Sequence, residues 1–276
     1  MIGENKVNVS LKQEDYDKIL ENVLATLRDI KAKKKNHAVI FLGGQPGAGK
    51  STFYNMEESF YDYIKIDGDQ YRKYHPGYTE MCEDEMVEKT QPFVNRMVED
   101  IISRLSDEGY NLLIEGTLRD ASVPINTATE LRTKGYTTEL YVIAYNACNA
   151  WESTLKRLKL MRELQHSIPR TVGIEKYSSI VNLLPENLRA IEHSGCMDRI
   201  VILNRDNEIL WSNLSNKEGE TAETVLSCQL NLQEWNSKYD EYKRQYEGEV
   251  LVCANLAQTV SNEGEQTTFH RRRGGR

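Results

Sequence analysis

A Gly-rich segment that begins at Gly44 constrains this chain more than any other part of the sequence. From Gly44 the residues read G-x-x-x-x-G-K-S, and they follow an apolar run, Ala38–Leu42, that is typical of a buried strand. A strand, a Gly-rich turn and the start of a helix form a nest of backbone N–H groups that holds the phosphates of a nucleotide. Glycine is needed because a Cβ would keep the backbone away from the anion.

The pattern predicts specific roles for two residues of this phosphate loop. Lys50 is expected to reach the β- and γ-phosphates, and the hydroxyl of Ser51 is expected to ligate Mg²⁺. The N-terminus of the following helix adds its dipole to the attraction for the anion. The predicted nucleotide-binding residues are Gly44, Gln45, Pro46, Gly47, Ala48, Gly49, Lys50, Ser51 and Thr52.

Composition narrows the class of protein. The 276 residues carry a net charge of −7, which argues against broad binding to nucleic acid or to an anionic membrane surface. No apolar run approaches the length of a membrane span, and the N-terminal residues lack a signal-peptide core. The five cysteines are scattered and form no C-x-x-C pair, which is typical of free thiols in a reducing compartment. We therefore expect a cytoplasmic protein.

Apolar periodicity predicts an α/β fold, and the phosphate loop makes it a fold of the P-loop NTPase or kinase-like type, followed by a C-terminal helical extension. Strand and helix patterns alternate, so the sheet should be mostly parallel with helices on both faces. Pro92 is expected to start a second helix or to kink a single one. The predicted strands are Ala38–Leu42, Tyr63–Ile66, Asn111–Ile114, Glu139–Tyr145 and Arg199–Leu203, and the predicted helices are Tyr16–Ile30, Asp84–Leu105, Ala121–Lys134 and Trp151–Gln165.

The character of the chain changes near Trp211. We predict a kinase-like domain over residues 1–211 and a helical extension over 212–260, in which Leu226 to Tyr242 suggest one long helix. The polar, Arg-rich segment 261–276 has the composition of a disordered tail.

Polar residues follow several strands at the edge where a parallel sheet binds its ligands. They lie in Asp67–Asp69, in Glu115–Arg119 and in the basic stretch Arg157–Arg170, which is expected to fold over the site as a lid. Phosphoryl transfer needs a nucleotide cradle, a metal, a base for the acceptor hydroxyl and cations around the moving group.

These requirements can be matched to side chains. Asp69 is the candidate base, and Glu115 is a candidate to hold a Mg²⁺-bound water. Arg157 and Arg170 are candidates to neutralise the charge on the transferring phosphoryl group. Thr117 and Arg119 are candidates to grip the acceptor.

Structural roles compete with these assignments. An acidic residue after a strand is commonly a helix cap or a turn residue, and Asp67 fits that role better than Asp69 does. Glu115 taken alone fits a turn as well as a metal site, and the lid arginines taken alone suit the surface of an amphipathic helix. His75 is expected to shape a turn.

Three segments together resemble the zeta toxin family, the kinase toxins of epsilon/zeta toxin–antitoxin systems. They are Leu42–Ser51, Ile66–Arg72 with His75-Pro76, and Gly109–Arg119. The resemblance runs from the N-terminal helix to about Asn204. It implies an ATP-dependent kinase that places phosphate on the 3′-hydroxyl of the amino sugar in UDP-N-acetylglucosamine and so blocks cell-wall precursor synthesis.

The resemblance also implies roles for single residues and a partner. Asp69 corresponds to the catalytic base and Glu115 to the acidic residue beside the metal and phosphates, while Arg157 and Arg170 correspond to the phosphate clamp. Glu99, Thr117 and Arg119 correspond to contacts with the sugar nucleotide. The implied partner is a small helical antitoxin of the epsilon kind, whose helix covers the nucleotide site.

Two departures from the family pattern leave alternatives open. Arg170 is followed by Thr171-Val-Gly173 where the family usually reads Arg-x-Thr-Pro, so Arg162 is a rival for one position of the clamp. Asp120 adds a carboxylate near a site for an anionic substrate, a difference that bears on acceptor preference.

Other functions also fit the sequence. One is a phosphotransferase for another hydroxyl acceptor, such as another UDP-sugar, an antibiotic or a polynucleotide 5′-hydroxyl. Another is a non-catalytic switch that responds to a nucleotide, although no Asn-Lys-x-Asp segment indicates guanine recognition.

Overall fold

A computed structural model of the chain describes residues 11–30, 37–56, 58–81, 83–164, 172–215 and 219–249. The strands are β1 (Ala38–Gly43), β2 (Ile64–Asp67), β3 (Leu112–Glu115), β4 (Thr137–Ile143), β5 (Arg199–Leu203) and β6 (Ile209–Ser212). The α-helices are α1 (Gln13–Ile30), α2 (Lys50–Met56), α3 (Glu83–Asp107), α4 (Ser122–Thr133), α5 (Ala147–Leu164), α6 (Ile174–Ser194) and α7 (Ala222–Leu230). Short 3₁₀ helices span Glu58–Asp62, Gly68–Tyr74 and Tyr78–Glu80.

The described strands form one sheet in the order β2-β3-β1-β4-β5-β6. All neighbouring pairs are parallel except β5 and β6, which are antiparallel. The predicted α/β fold with a mostly parallel sheet is therefore confirmed. Strand β6 was not predicted, because a strand of four residues beside a polar loop shows little alternation of apolar and polar residues.

Strand β1 lies near the middle of the sheet, between β3 and β4, and both of its faces are covered. Val39 and Phe41 belong to a large core cluster that includes residues of α1, α3, α4, α6 and α7. Ile40 and Leu42 belong to a smaller cluster on the opposite face, with Phe53 of α2. A strand that is buried on both faces reads as a continuous apolar run, which explains why it was easily predicted.

Several helix predictions need correction. Helix α6 was not predicted, although its residues, such as Leu184 and Leu188, are fully buried in the main core. Pro92 lies inside α3 and does not divide it into two helices. The prediction of a single long helix from Leu226 to Tyr242 is wrong. Helix α7 ends at Leu230, the next residue, Asn231, has a left-handed φ of 51°, and a separate helix follows over 232–249.

The chain divides into two compact units, and the first extends to Leu232. This unit contains the whole sheet together with α1 to α7. The second unit begins at Gln233 and includes the helical residues up to 249, where the ring of Trp235 stacks on that of Tyr242 at 5.7 Å. The domain bounds of 1–211 and 212–260 stay a prediction, and the predicted tail over 261–276 lies outside the described residues.

Among the described helices, none is both long enough and apolar enough to cross a membrane.

The end of β1 is closely packed against the loop that follows β3. A Cβ at Gly43 would lie 2.3 Å from Cδ1 and 2.7 Å from Cγ of Leu118. We expect Gly43→Ala to lower the free energy of unfolding by about 1–3 kcal/mol, because an extra methyl group overpacks this contact. Denaturant unfolding measures the change.

Gly116→Ala is the matched control, since a Cβ at that position meets no atom within 4 Å. Adding Leu118→Ala to Gly43→Ala should remove the clash. Equal destabilisation by the two single glycine substitutions would contradict the steric explanation.

Candidate active site

Parallel register brings the ends of three strands together at one edge of the sheet. Glu115 at the end of β3 is the register partner of both Leu42 in β1 and Asp67 in β2. The phosphate loop follows β1 directly, and Gly68–Tyr74 follows β2. The carboxylates after β2 and β3 and the phosphate loop therefore share one edge, as the strand pattern predicted.

The phosphate loop has the backbone that its glycines were expected to allow. Gly44, Gly47 and Gly49 have φ values of 135°, 79° and 105°, a region that disfavours residues with a Cβ. A Cβ at Gly47 would lie only 2.0 Å from the carbonyl oxygen of Ala150 in α5. Conformation and packing thus both require glycine at position 47.

Lys50 lies buried inside the loop, with 9% of its surface exposed. Its Nζ donates to the carbonyl oxygens of Gly44 at 2.8 Å and of Gln45 at 3.2 Å. Burial lowers the pKa of Lys50, and so does the charge of Arg157, whereas Glu115 and the aspartates at 67 and 69 raise it. The ammonium group is thus within electrostatic range of the acidic groups of the neighbouring strands.

The lowered pKa of Lys50 predicts a pH dependence of stability. Its ordinary pKa is 10.5, and the folded value lies below that. Between the two values the unfolded chain binds more protons, so the wild-type protein gains stability as the pH rises through this window. Lys50→Met has no such titration, so the stability of the wild type relative to this variant should increase towards pH 10.5.

Lys134→Met is the control with the opposite sign. Burial alone would lower the pKa of Lys134, but its ion pairs with Asp107 at 2.8 Å and Glu130 at 3.2 Å outweigh burial and raise it. The contribution of Lys134 should therefore decline as the pH rises through its folded pKa. Denaturant unfolding across the alkaline range measures both variants, and a flat difference for Lys50→Met would contradict the assignment.

Asp69 is held by a buried arginine, Arg72, that sequence reasoning did not single out. Nε of Arg72 donates to Oδ1 of Asp69 at 2.8 Å, and the exposed fractions of the two side chains are 7% and 42%. The other nitrogens of Arg72 reach α3, where Nη1 bonds the Val87 carbonyl and the Thr90 hydroxyl, and Nη2 bonds Gln91 Oε1 at 2.9 Å. Four acceptors thus fix the guanidinium, which in turn orients the carboxylate.

Asp67 has the capping role that the sequence suggested. Its Oδ1 accepts from the backbone N–H of Asp69 at 3.1 Å and so begins the short helix Gly68–Tyr74. His75 ends that helix, and its Nδ1 accepts from the N–H of Gly77 at 3.2 Å, as expected for a turn residue.

The Arg72 network gives a prediction for stability. Lysine has one nitrogen and cannot serve the separate acceptors that the planar guanidinium reaches. Arg72→Lys should therefore leave buried acceptors unpaired and lower the free energy of unfolding by about 1–3 kcal/mol. Lys73→Ala, at the exposed neighbouring position, is the control and should be close to neutral. A neutral Arg72→Lys variant would contradict the positioning role.

Glu115 is mostly buried and is paired with a lysine from the neighbouring strand. Nζ of Lys65 lies 2.9 Å from Oε2 of Glu115, and the two side chains are 17% and 14% exposed. The lysine neutralises one oxygen of the carboxylate. The described residues include no cluster of three His, Cys, Asp or Glu side chains suited to a metal ion. A magnesium ion here would therefore depend on Ser51, water and nucleotide phosphates for its ligands, with Glu115 placed to hold one of the waters.

Thr117 and Arg119 flank a residue with a strained backbone. Leu118 has a φ of 53° although it is not glycine, which costs on the order of 1 kcal/mol or more. Its side chain is buried, and its carbonyl accepts from Asn187 Nδ2 of α6 at 2.9 Å. Thr117 is half-buried and Arg119 is exposed on either side of this anchored residue. Leu118 therefore fixes the turn that carries both candidate acceptor contacts.

Asp120 has a local role in the structure. Its Oδ1 accepts from both the backbone N–H and the hydroxyl of Ser122, at 2.9 and 2.7 Å. These hydrogen bonds, that of the Ser122 hydroxyl first, lower the pKa of Asp120. The carboxylate thus stabilises the start of α4.

The remaining candidates occupy helices. Glu99 is exposed on α3, the helix whose Val94 and Val98 approach Gly68. Arg157 is exposed on α5, and its charge acts on Lys50. Arg162 is a half-buried residue further along α5. Arg170 lies outside the described residues, so the composition of the clamp stays a prediction.

Lys176, in the first turn of α6, is a second cation that the sequence pattern did not reveal. Burial lowers its pKa, and the charges of Arg119 and Arg72 lower it further, whereas Asp69 and Glu88 raise it. Lys176 therefore shares the electrostatic environment of the candidate base and of a candidate acceptor contact. No local motif marks this lysine, because its neighbours come from other parts of the chain.

The fold and this edge define a P-loop protein of the α/β class, in which a phosphate loop shares one edge of the sheet with carboxylates at the ends of β2 and β3. Comparisons with known proteins narrow the class. The family model described as Zeta toxin matches residues 22–216. The chain is 37% identical over 232 residues to Toxin zeta of Streptococcus pyogenes, a match that covers 82% of this chain and 80% of that protein. The chain therefore belongs to the zeta toxin family.

One solved structure agrees with this assignment, and a second shares the fold. A structure from the PezAT chromosomal toxin–antitoxin system of Streptococcus pneumoniae matches with a TM-score of 0.70 and 33% identity, over 80% of this chain and 88% of that chain. The structure of AvrRxo1-ORF1:-ORF2 with ATP matches with a TM-score of 0.56 and 12% identity, over 79% and 74% of the two chains. The second likeness shows the fold alone.

Proposed function

We propose that this protein is an ATP-dependent kinase that phosphorylates the 3′-hydroxyl of the amino sugar in UDP-N-acetylglucosamine. Removal of this precursor would block cell-wall synthesis. The observation that carries the proposal is a buried phosphate-loop lysine at the same edge of the sheet as a carboxylate that an arginine holds in place. Asp69 is one of the acidic groups whose charge opposes the lowering of the Lys50 pKa by burial, and Arg72 Nε donates to Oδ1 of Asp69 at 2.8 Å.

The nucleotide end of the reaction rests on the phosphate loop. Glycines with positive φ and the start of α2 provide backbone N–H groups for the phosphates of ATP. Lys50 supplies the buried positive charge for the β- and γ-phosphates. A Mg²⁺ ion bound through Ser51, with Glu115 holding one of its waters, would neutralise charge between these phosphates.

The acceptor end rests on side chains of the adjacent loops. Asp69 would accept the proton of the sugar hydroxyl as that oxygen attacks the γ-phosphorus atom, while the bond from this phosphorus to the β,γ-bridging oxygen breaks and ADP leaves. Thr117, Arg119 and Glu99 would hold the sugar nucleotide. Arg157, together with Arg170 or Arg162, would stabilise the negative charge on the phosphoryl group in transit.

A direct assay tests the proposed reaction. Purified protein with ATP, Mg²⁺ and UDP-N-acetylglucosamine should yield a sugar nucleotide that carries one more phosphoryl group, as measured by mass spectrometry. Asp69→Asn should reduce kcat by about 10²–10⁴-fold, the usual contribution of a general base, without weakening ATP binding. Full activity in this variant would remove Asp69 as the base.

Asp120→Asn is the matched control, because that carboxylate bonds Ser122. It should keep its turnover. If the protein phosphorylates a different UDP-sugar, an antibiotic or a polynucleotide but not UDP-N-acetylglucosamine, the proposed acceptor is wrong and the proposed kinase activity still holds. ATP binding without transfer to any acceptor would favour a nucleotide-dependent switch.

We further propose an antitoxin partner of the epsilon kind, a small helical protein whose helix covers the nucleotide site. The support is family membership and the origin of one similar structure in a toxin–antitoxin system. In such a complex ATP should no longer bind, and titration of ATP into the complex measures this. An unchanged ATP affinity in the complex would contradict the proposed mode of inhibition.

A further inference from the structure

An arginine outside every predicted site is fastened to the phosphate loop. Arg205 follows β5, and its Nε and Nη2 donate to the carbonyl oxygens of Ala48 at 3.1 Å and Gly47 at 3.0 Å. Its guanidinium lies over the ring of Tyr145, 4.0 Å from the centroid. A Cβ at Gly49 would lie 3.1 Å from Arg205 Nε, which shows how closely the arginine approaches the loop.

Both partners in this stack are held by the surrounding structure. Asn204 Oδ1 accepts from the backbone N–H groups of Asp206 and Glu208, each at 2.9 Å, and so fixes the turn between β5 and β6 that carries Arg205. Gln45 Nε2 in the phosphate loop donates to the carbonyl of Tyr145 at 2.6 Å. The stacked pair is therefore rigid relative to the loop.

The order of the strands shows on which side of the phosphate loop this pair lies. The candidate base and Glu115 follow β2 and β3, on one side of β1, whereas Tyr145 and Arg205 follow β4 and β5, on the other side. In-line transfer places the acceptor and the leaving diphosphate on opposite sides of the γ-phosphorus atom. If the acceptor approaches from the β2 and β3 side, the nucleoside extends towards β4 and β5.

The chemistry of the pair suits a flat ligand. A guanidinium is planar and weakly hydrated, and it stacks on aromatic surfaces. Two of its nitrogens bond the loop, which sets the orientation of the plane, yet the residue remains exposed to solvent. Nucleobases are commonly recognised by stacking on aromatic rings and arginine planes.

We propose that Arg205, backed by Tyr145, is the stacking platform for the nucleobase of the phosphoryl donor. This inference rests on the proposed ATP-dependent function and deepens it, since it separates recognition of the base from recognition of the phosphates. The loop and Lys50 hold the phosphates, and Arg205 holds the base. Because stacking depends on the plane of the guanidinium, lysine cannot replace arginine here.

The test compares ligands with and without a base. Calorimetry measures the affinities of the wild type and of Arg205→Lys for ATP and for inorganic tripolyphosphate, each with Mg²⁺. The variant should lose about 10-fold in affinity for ATP, in keeping with base stacking, and should keep its affinity for tripolyphosphate. Tyr145→Leu, which removes the ring beneath the guanidinium, should show the same selective loss in a smaller measure.

Arg199→Lys is the matched control, because Arg199 lies at the opposite end of the same strand and also faces a tyrosine ring, that of Tyr141 at 5.7 Å. It should leave both affinities unchanged. If Arg205→Lys loses affinity for ATP and for tripolyphosphate equally, the arginine acts through the loop or the phosphates, and the proposed stacking platform is wrong. Unchanged ATP affinity in both Arg205→Lys and Tyr145→Leu would also overturn the platform.

Failure of the proposed function has a different signature. If the wild type binds neither ATP nor tripolyphosphate, the phosphate loop does not serve a nucleotide, and both proposals fall together. If the wild type binds ATP and the variant data contradict the platform, only the inference about Arg205 fails.

Discussion

The site depends on one buried positive charge. Lys50 lies inside the phosphate loop, where burial disfavours its charged form and two loop carbonyls accept hydrogen bonds from its ammonium group. The acidic groups after β2 and β3 oppose the effect of burial, and they do so because parallel register places them beside the loop. A buried cation in this position can bind a strongly anionic ligand. The arrangement of the strands thus places the charge that the chemistry at this edge requires.

Two arginines hold the surroundings of this charge in a fixed arrangement. Arg72 lies on the β2 side, where α3 anchors it and it orients Asp69. Arg205 lies on the β5 side, where it bonds the loop backbone and covers Tyr145. Each uses the several donors of a rigid guanidinium to connect segments that are distant in the chain. An arginine thus fixes the site on each side of β1. The β2 side suits the acceptor of a phosphoryl-transfer reaction, and the β5 side suits the donor.

Local sequence predicted the elements that are buried on both faces. The bounds of β5 agree with the prediction, and those of β1 differ by one residue, because runs such as Arg199–Leu203 carry an unbroken apolar signal. Helix α6 was missed although it packs in the main core, and β6 was missed because it is short and pairs at the edge of the sheet. The break at Asn231 depends on one left-handed residue, which apolar periodicity does not register.

From the sequence alone we could predict the phosphate loop, the alternation of β1 to β5 with helices along the chain, and the family, because these follow from spacing within short segments. Which side chains meet became clear only in the folded chain. Gln45 reaches the backbone of Tyr145 across 100 residues, and Arg205 reaches that of Ala48 across 157. The fold also brings the Asp120 carboxylate to the start of α4 and places Lys176 where the charge of Asp69 acts on its pKa. Such contacts depend on strand order and loop closure, which no local pattern of residues encodes.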